Sequence, residues 1–134
     1  MLKVEKTNAE KAREMQRVFE YCMYMMVSSY FKSVRCKSYH LETQLLLYYK
    51  EYGMKRAYGL EDRVLRLIER QVLPVIPKEY LDCDAEVKLI RNEEQDVTVM
   101  VLMVRDAKLL VYGKYNGKES EMRAVWRELP QAAL

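Results

Sequence analysis

The sequence predicts an α+β protein with three N-terminal helices, a three-stranded antiparallel meander at about 85–115, and a C-terminal helix or fourth strand at 118–129. Apolar residues recur at helical spacing through the first half of the chain. After Pro74 and Pro77, which stop a helix, the period changes to the alternation that is typical of strands.

The composition predicts one folded domain over residues 1–134. Half of the 134 residues are apolar, and there are only four glycines and three prolines. A chain of this size and composition is long enough to bury a core. We expect a helical part at 7–72, an extended proline hinge at 73–84 and a β-rich part at 85–134.

The first helix is predicted to begin at the capping box formed by residues 7–10, in which Thr7 caps a backbone N–H and Glu10 reaches back. A stripe at helical spacing supplies its core face: Met15, Phe19, Cys22, Met26 and Tyr30. Further apolar residues, Tyr21, Tyr24, Val27 and Phe31, occupy the opposite side. This half of the helix must therefore be covered on more than one side.

A second helix is predicted between Ser38, a plausible N-cap, and Gly53, which suits the position after a helix end. Leu46 and Leu47 lie off its core stripe, which indicates a partner surface. A third helix is predicted from about Leu60 to Val72. Its inward face is Leu60, Val64, Leu67 and Ile68.

Three strands are predicted at 85–91, 97–104 and 108–115. The first alternates apolar with mostly polar residues, the second is apolar on both faces, and the connections between them are short. Short connections predict antiparallel neighbours. After Asn116-Gly117, a hairpin signal, the segment 118–129 fits either a strand or a helix, and its composition leads us to favour the helix.

Tyrosines and cations share one stretch of the chain. Eight of the eleven tyrosines lie between Tyr21 and Tyr58, and the span 32–58 carries six cations against two acids, although the whole chain has a net charge of only +3. Such a stretch can contact nucleic acid. The candidate contacts there and in an arginine stripe are Lys32, Arg35, Lys37, Tyr39, Lys50, Lys55, Arg56, Arg63, Arg66 and Arg70.

The three cysteines form an odd, widely spaced set, so we expect reduced thiols and a cytoplasmic protein. No apolar run reaches the length of a membrane span or a signal core. Cys36 and His40, with Cys83 and Asp82 or Asp84, are the nearest approach to a metal set. The Ser38 cap is expected to break the helix between Cys36 and His40, so we predict no metal site and no cofactor.

One strand pattern suggests an enzyme. Asp96 opens a strand, a tight turn follows, and the next strand ends in residues 109–114. Over about residues 60–129 this resembles the restriction-endonuclease-like core, in which an Asp and a Glu-x-Lys hold a metal over a phosphate. By this resemblance, Asp96 and Lys114 would occupy the positions of the family's Asp and Lys. Tyr112, however, stands where the family has a carboxylate. A Mg²⁺ site here would therefore lack one carboxylate oxygen ligand.

The leading functional hypothesis is a small non-catalytic protein-interaction module: a subunit, adaptor or inhibitor that also self-associates in its simplest version. The surplus apolar helix surface motivates it. The predicted contact residues are Tyr21, Tyr24, Phe31, Leu46 and Leu47. Nucleic-acid binding through the basic and tyrosine-rich region is the alternative, and a metal nuclease or its inactive relative is the third hypothesis.

Overall fold

The structure is a computed structural model that describes residues 7–36, 50 and 59–129. Helix α1 spans Asn8–Ser28 and begins where the capping box predicted, because Thr7 Oγ1 accepts a hydrogen bond of 3.1 Å from the backbone N–H of Glu10. The helix ends at Ser29, whose hydroxyl donates to the carbonyl of Met26 over 2.6 Å. The N-cap was therefore readable from local sequence alone.

The middle of α1 is buried around most of its circumference. Its buried side chains are Gln16, Val18, Phe19, Glu20, Tyr21, Cys22, Met23, Tyr24 and Val27. The helix packs across a central strand of the sheet, with Phe19 directly over Gly113. The prediction that this half of the helix is covered on more than one side is confirmed by this burial.

A second, short helix, α2, covers residues 59–67 and continues into a single π-helical turn at Ile68–Val72. Its buried residues Leu60, Val64, Ile68 and Val72 follow one another at helical spacing, and the π turn packs on the last strand. The segment 73–84, predicted to be extended, contains two 3-10 turns, Leu73–Val75 and Lys78–Tyr80.

Five strands form one mixed sheet: β1 (Lys32–Cys36), β2 (Asp84–Asn92), β3 (Val97–Val104), β4 (Ala107–Tyr115) and β5 (Ser120–Glu128). Their spatial order is the order of the chain. Strands β2 to β5 pair antiparallel, whereas β1 pairs parallel to β2 with a register shift between Lys32 and Arg35. Ser33, inside that shift, has a positive φ of 47°.

The prediction of three N-terminal helices and a three-stranded meander is wrong. The described part has one N-terminal helix, one short helix and a five-stranded mixed sheet. The predicted second helix, between Ser38 and Gly53, lies outside the described residues apart from Lys50. Strand β1 was missed because five residues at a sheet edge, two of them cations, carry little periodicity, and a parallel partner is distant in sequence.

The favoured C-terminal helix is also wrong, because the segment is strand β5. Every residue from Ser120 to Glu128 pairs with a residue of β4. The turn between them is organised by Asn116, whose side-chain oxygen accepts from the backbone N–H groups of Lys118 and Glu119, and by Gly117 at φ +97°. The hairpin signal and the cross-strand pairing outweigh a helix propensity of a few tenths of a kcal/mol per residue.

One hydrophobic core joins the helices to one face of the sheet. It includes Phe19 and Met23 of α1, Ile68, and Leu102 and Leu109 of the central strands. Among the described residues, no helix is long and apolar enough to cross a membrane.

Candidate functional site

The two faces of the sheet differ in their surroundings. The side chains at Ala85, Val87 and Leu89 of β2 point toward the helices and are buried, as are most of the equivalent positions of β3 and β4. The alternate positions point away from the helices. We call these the open face: Lys32, Arg35, Asp84, Glu86, Lys88, Ile90, Asn92, Val97, Val99, Val101, Met103, Lys108, Leu110, Tyr112, Lys114, Glu121, Arg123, Val125 and Arg127.

The centre of the open face is apolar. A cross-strand row runs from Val101 of β3 to Leu110 of β4 and Val125 of β5, with directly opposed residues at each step. Val101 is only 9% exposed, while Leu110 and Val125 are half-buried. Val99, Met103 and Ile90 flank this row on neighbouring positions. Ile90 and Met103 are 44% and 38% exposed, which makes them two of the most exposed large apolar residues of the described chain. Contiguous apolar surface of this kind is typical of a binding surface.

Cations surround this apolar centre. The open face carries seven Lys or Arg side chains and three carboxylates, a formal excess of four positive charges. Lys108 and Arg127 stand directly opposite each other on β4 and β5. Within the described residues neither makes an ion pair. Arg123 donates to the hydroxyl of Tyr112 over 3.0 Å, with its guanidinium 6.0 Å from the ring centroid.

A second polar feature lies on the packed face, around the buried carboxylate of Glu20, which is only 1% exposed. Its Oε1 accepts from Gln16 Nε2 at 2.8 Å and from the backbone N–H of Thr98 at 3.1 Å. Its Oε2 accepts from Arg17 Nη1 at 3.1 Å. Arg91 Nη1 lies 4.0 Å from Oε1. The charge of Glu20 is therefore balanced by two arginines.

The two arginines also hold the turn between β2 and β3. Arg91 Nη2 contacts Asp96 Oδ1, and Arg17 Nη2 lies 3.6 Å from the same oxygen. Asp96 has a positive φ of 51°, a strained conformation for a non-glycine residue. The cluster thus ties α1 to this turn through a continuous set of charges.

Next to this cluster, a cleft of about 760 Å³ separates the first turns of α1 from the ends of β3 and β4. Asp96 and Lys114 both line it, together with Arg13, Gln16 and other residues of the two adjoining turns. Both residues of the nuclease-like pattern thus border this cleft, although Lys114 occupies an outward position of β4. Asp96, however, is neutralised by two guanidinium groups, and Tyr112 points to the open face.

The cysteines do not form a cluster. None of the three forms a disulfide: Cys22 is buried, while Cys36 and Cys83 are half-buried. Burial raises the pKa of Cys22 to about 12, with a smaller contribution from the charge of Glu61. Among the described residues, no group of three His, Cys, Asp or Glu side chains has a metal-binding arrangement. His40, which was considered together with Cys36 and Cys83, lies outside the described residues.

The tyrosines predicted as contacts with a partner are placed inside the molecule. Tyr21 and Tyr24 are each 8% exposed and Phe31 is 6% exposed, and all three belong to the core. Leu46 and Leu47 lie outside the described residues. These apolar side chains of the first helical segment therefore pack against other parts of the same chain.

The predicted cationic contacts are divided between surfaces. Lys32 and Arg35 lie on β1 opposite Asp84 and Glu86, at one edge of the open face. The arginines of α2 belong to the other side of the sheet: Arg63 stacks over Tyr115 at 5.4 Å and donates to the carbonyl of Lys118.

Arg66 donates to the carbonyl of Asp62, while Arg70 and Lys50 are exposed. The remaining candidates, Lys37, Tyr39, Lys55 and Arg56, fall outside the described residues. The cations that were predicted to contact nucleic acid and that lie among the described residues therefore do not converge on a single surface.

The open face was missed although two signals pointed to it. Ile90 occupies the polar side of an alternating strand, and β3 is apolar on both faces. Strand β3 is apolar on both faces because it is the central strand of the sheet, as predicted. Of its outward residues, Val97 and Val101 are buried, Val99 is half-buried and Met103 is exposed.

Comparisons of this chain with protein-family models, curated proteins and solved structures found no match.

Proposed function

We propose that the chain is a non-catalytic protein-binding module whose partner docks on the open face. The observation that carries this proposal is the exposure of Ile90 and Met103 beside the half-buried Leu110 and Val125, in an apolar centre whose innermost residue is Val101. An apolar centre with a charged rim is the usual anatomy of a protein interface. The described helices pack on the other face of the sheet, which leaves Ile90 and Met103 accessible to a partner.

A non-catalytic role is supported by the state of the nuclease-like pattern. Asp96 is engaged by Arg17 and Arg91, and a divalent cation would have to displace both guanidinium groups to use its carboxylate. Tyr112 supplies no anionic oxygen. We therefore assign Asp96 to holding the β2–β3 turn and not to metal binding.

We also propose that the protein works in the cytoplasm. The support is that Cys22, Cys36 and Cys83 are not joined by disulfides in a structure that has a hydrophobic core. An oxidising compartment favours disulfides, whereas a reducing one keeps such thiols free.

Site-specific photo-crosslinking tests the docking surface without knowledge of the partner. A photoreactive phenylalanine derivative replaces Ile90 on the open face, and in a control it replaces Gln71, which is exposed on the π turn of the other side. We expect irradiation of cells to yield a discrete protein adduct at position 90 and none at position 71. The same adducts at both positions, or an adduct at 90 that nuclease removes, would contradict the proposal.

A further inference from the structure

The charges of the open face define the class of partner, provided that the proposed function holds. We infer that the partner is an acidic protein surface with its own apolar centre, and not a second copy of this chain. The apolar row alone would accept many proteins. The rim, with seven cations and three carboxylates, restricts the choice because interface potentials are complementary in specific complexes.

The opposed pair Lys108 and Arg127 is the most informative part of the rim. Like charges directly opposite each other on adjacent strands destabilise a sheet. Neither is offset by an ion pair within the described part of the chain, and Met103 lies beside Lys108 in the same cross-strand row. A carboxylate of a partner placed between the two cations would relieve their repulsion while the apolar centre is covered.

Self-association through this face is disfavoured by the same charges. A two-fold symmetric dimer buries the same patch on both subunits. Such a dimer would bring two surfaces together that each carry four excess positive charges. Like-charge contacts across an interface disfavour association. A partner of opposite charge meets no such cost.

The apolar centre distinguishes a protein partner from a single-stranded nucleic acid. Nucleic-acid platforms stack bases on aromatic rings. The described open face has one such ring, Tyr112, and its hydroxyl is already bound by Arg123. The remaining central residues are aliphatic or Met, which pack against protein side chains and do not stack on bases.

The test uses the full chain and a phage library of random peptides as the probe. We expect the enriched peptides to be net acidic with large apolar residues. Their binding should weaken at least about tenfold in the variant Lys108→Glu/Arg127→Glu, because reversal of two rim charges replaces two attractions by repulsions. The matched control is Arg70→Glu/Lys78→Glu, which changes the net charge equally with exposed residues of the other side. This control should bind as the wild type does.

The other outcomes separate this inference from the proposed function. Enriched neutral or basic peptides that lose binding in Met103→Glu would overturn the acidic partner and leave the docking surface standing. Peptides that bind all variants equally would overturn both. A mixed-sequence single-stranded RNA that binds in place of peptides, and is lost in Tyr112→Ala, would assign the face to nucleic acid. A dimer in light scattering that Met103→Glu dissociates would assign it to a second copy.

Discussion

Gly113 lies where helix α1 and strand β4 approach each other closely. A Cβ at this position would lie 2.6 Å from Cε1 of Phe19 and 3.2 Å from the sulfur of Met23. Phe19 is itself fully buried and stacks on Tyr115 at 5.4 Å, so its ring has little room to move. The absence of a side chain at 113 therefore sets the distance between α1 and β4.

We predict that Gly113→Ala destabilises the fold by about 1–3 kcal/mol, the usual cost of forcing extra volume into a packed core. Gly59→Ala is the matched control, since nothing lies within 4 Å of its added Cβ. Because residue 59 is helical, this control should be neutral or slightly stabilising. Urea unfolding measures both. Equal stability of the two variants would show that α1 does not pack tightly at 113.

Cys22 should be the least reactive of the three thiols. Burial raises its pKa to about 12, so at pH 8 almost none of it is the nucleophilic thiolate. The half-buried Cys36 and Cys83 are more accessible. We expect Ellman's reagent to label these two first and Cys22 only on unfolding, as mass spectrometry of the labelled peptides will show. Early labelling of Cys22 in the native protein would contradict its burial.

Local sequence explains some of these residues and not others. The Thr7 cap was predictable because its hydrogen bond spans three residues. The role of Gly113 was not, because the side chain that requires it, Phe19, is 94 positions away. The same holds for Glu20, whose partners Thr98 and Arg91 lie on distant strands.

At the scale of elements, the cluster around Glu20 joins α1 to the turn between β2 and β3. Removal of one member leaves the opposite charges buried without compensation. We predict that Glu20→Leu destabilises the protein by about 3–5 kcal/mol. Glu10→Leu is the control, since Glu10 is exposed in the first turn of α1 and should contribute at most about 1 kcal/mol.

Denaturant unfolding of the two variants compares these contributions. Similar small losses in both would mean that the buried carboxylate of Glu20 does not hold the helix on the sheet. Circular dichroism of the same variants checks that the helix itself is retained.

The elements that were predicted well are those with strong local periodicity. Helix α1 and strands β2 to β4 fall within a few residues of the predicted ranges. Strand β5 was read as a helix because its composition favours helix, whereas its actual state depends on the whole length of β4 beside it. Non-local pairing of this kind leaves only the turn, Asn116-Gly117, as a sequence signal.

At the scale of the whole molecule, the parallel pairing of β1 with β2 was beyond sequence reasoning. Lys32 and Asp84 are opposed across the sheet edge although 52 positions separate them. This pairing places Lys32 and Arg35 on the open face beside the cations of β4 and β5. Two of the six cations in the span 32–58, Lys32 and Arg35, therefore contribute to the charged rim of the open face.

The most direct test of the open face as the docking surface compares two exposed methionines. Met103 lies on the open face and is 38% exposed, whereas Met25 lies on α1 and is 49% exposed. Met103→Glu and Met25→Glu should both fold, since each side chain is already in contact with water. The partner protein is first identified by its crosslink to position 90. The quantity to measure is then the amount of this partner that co-purifies with each variant. We expect Met103→Glu to reduce this amount at least about tenfold, a loss of about 1.4 kcal/mol in binding, and Met25→Glu to leave it unchanged. Full recovery with Met103→Glu, or an equal loss with both variants, would contradict the open face as the docking surface.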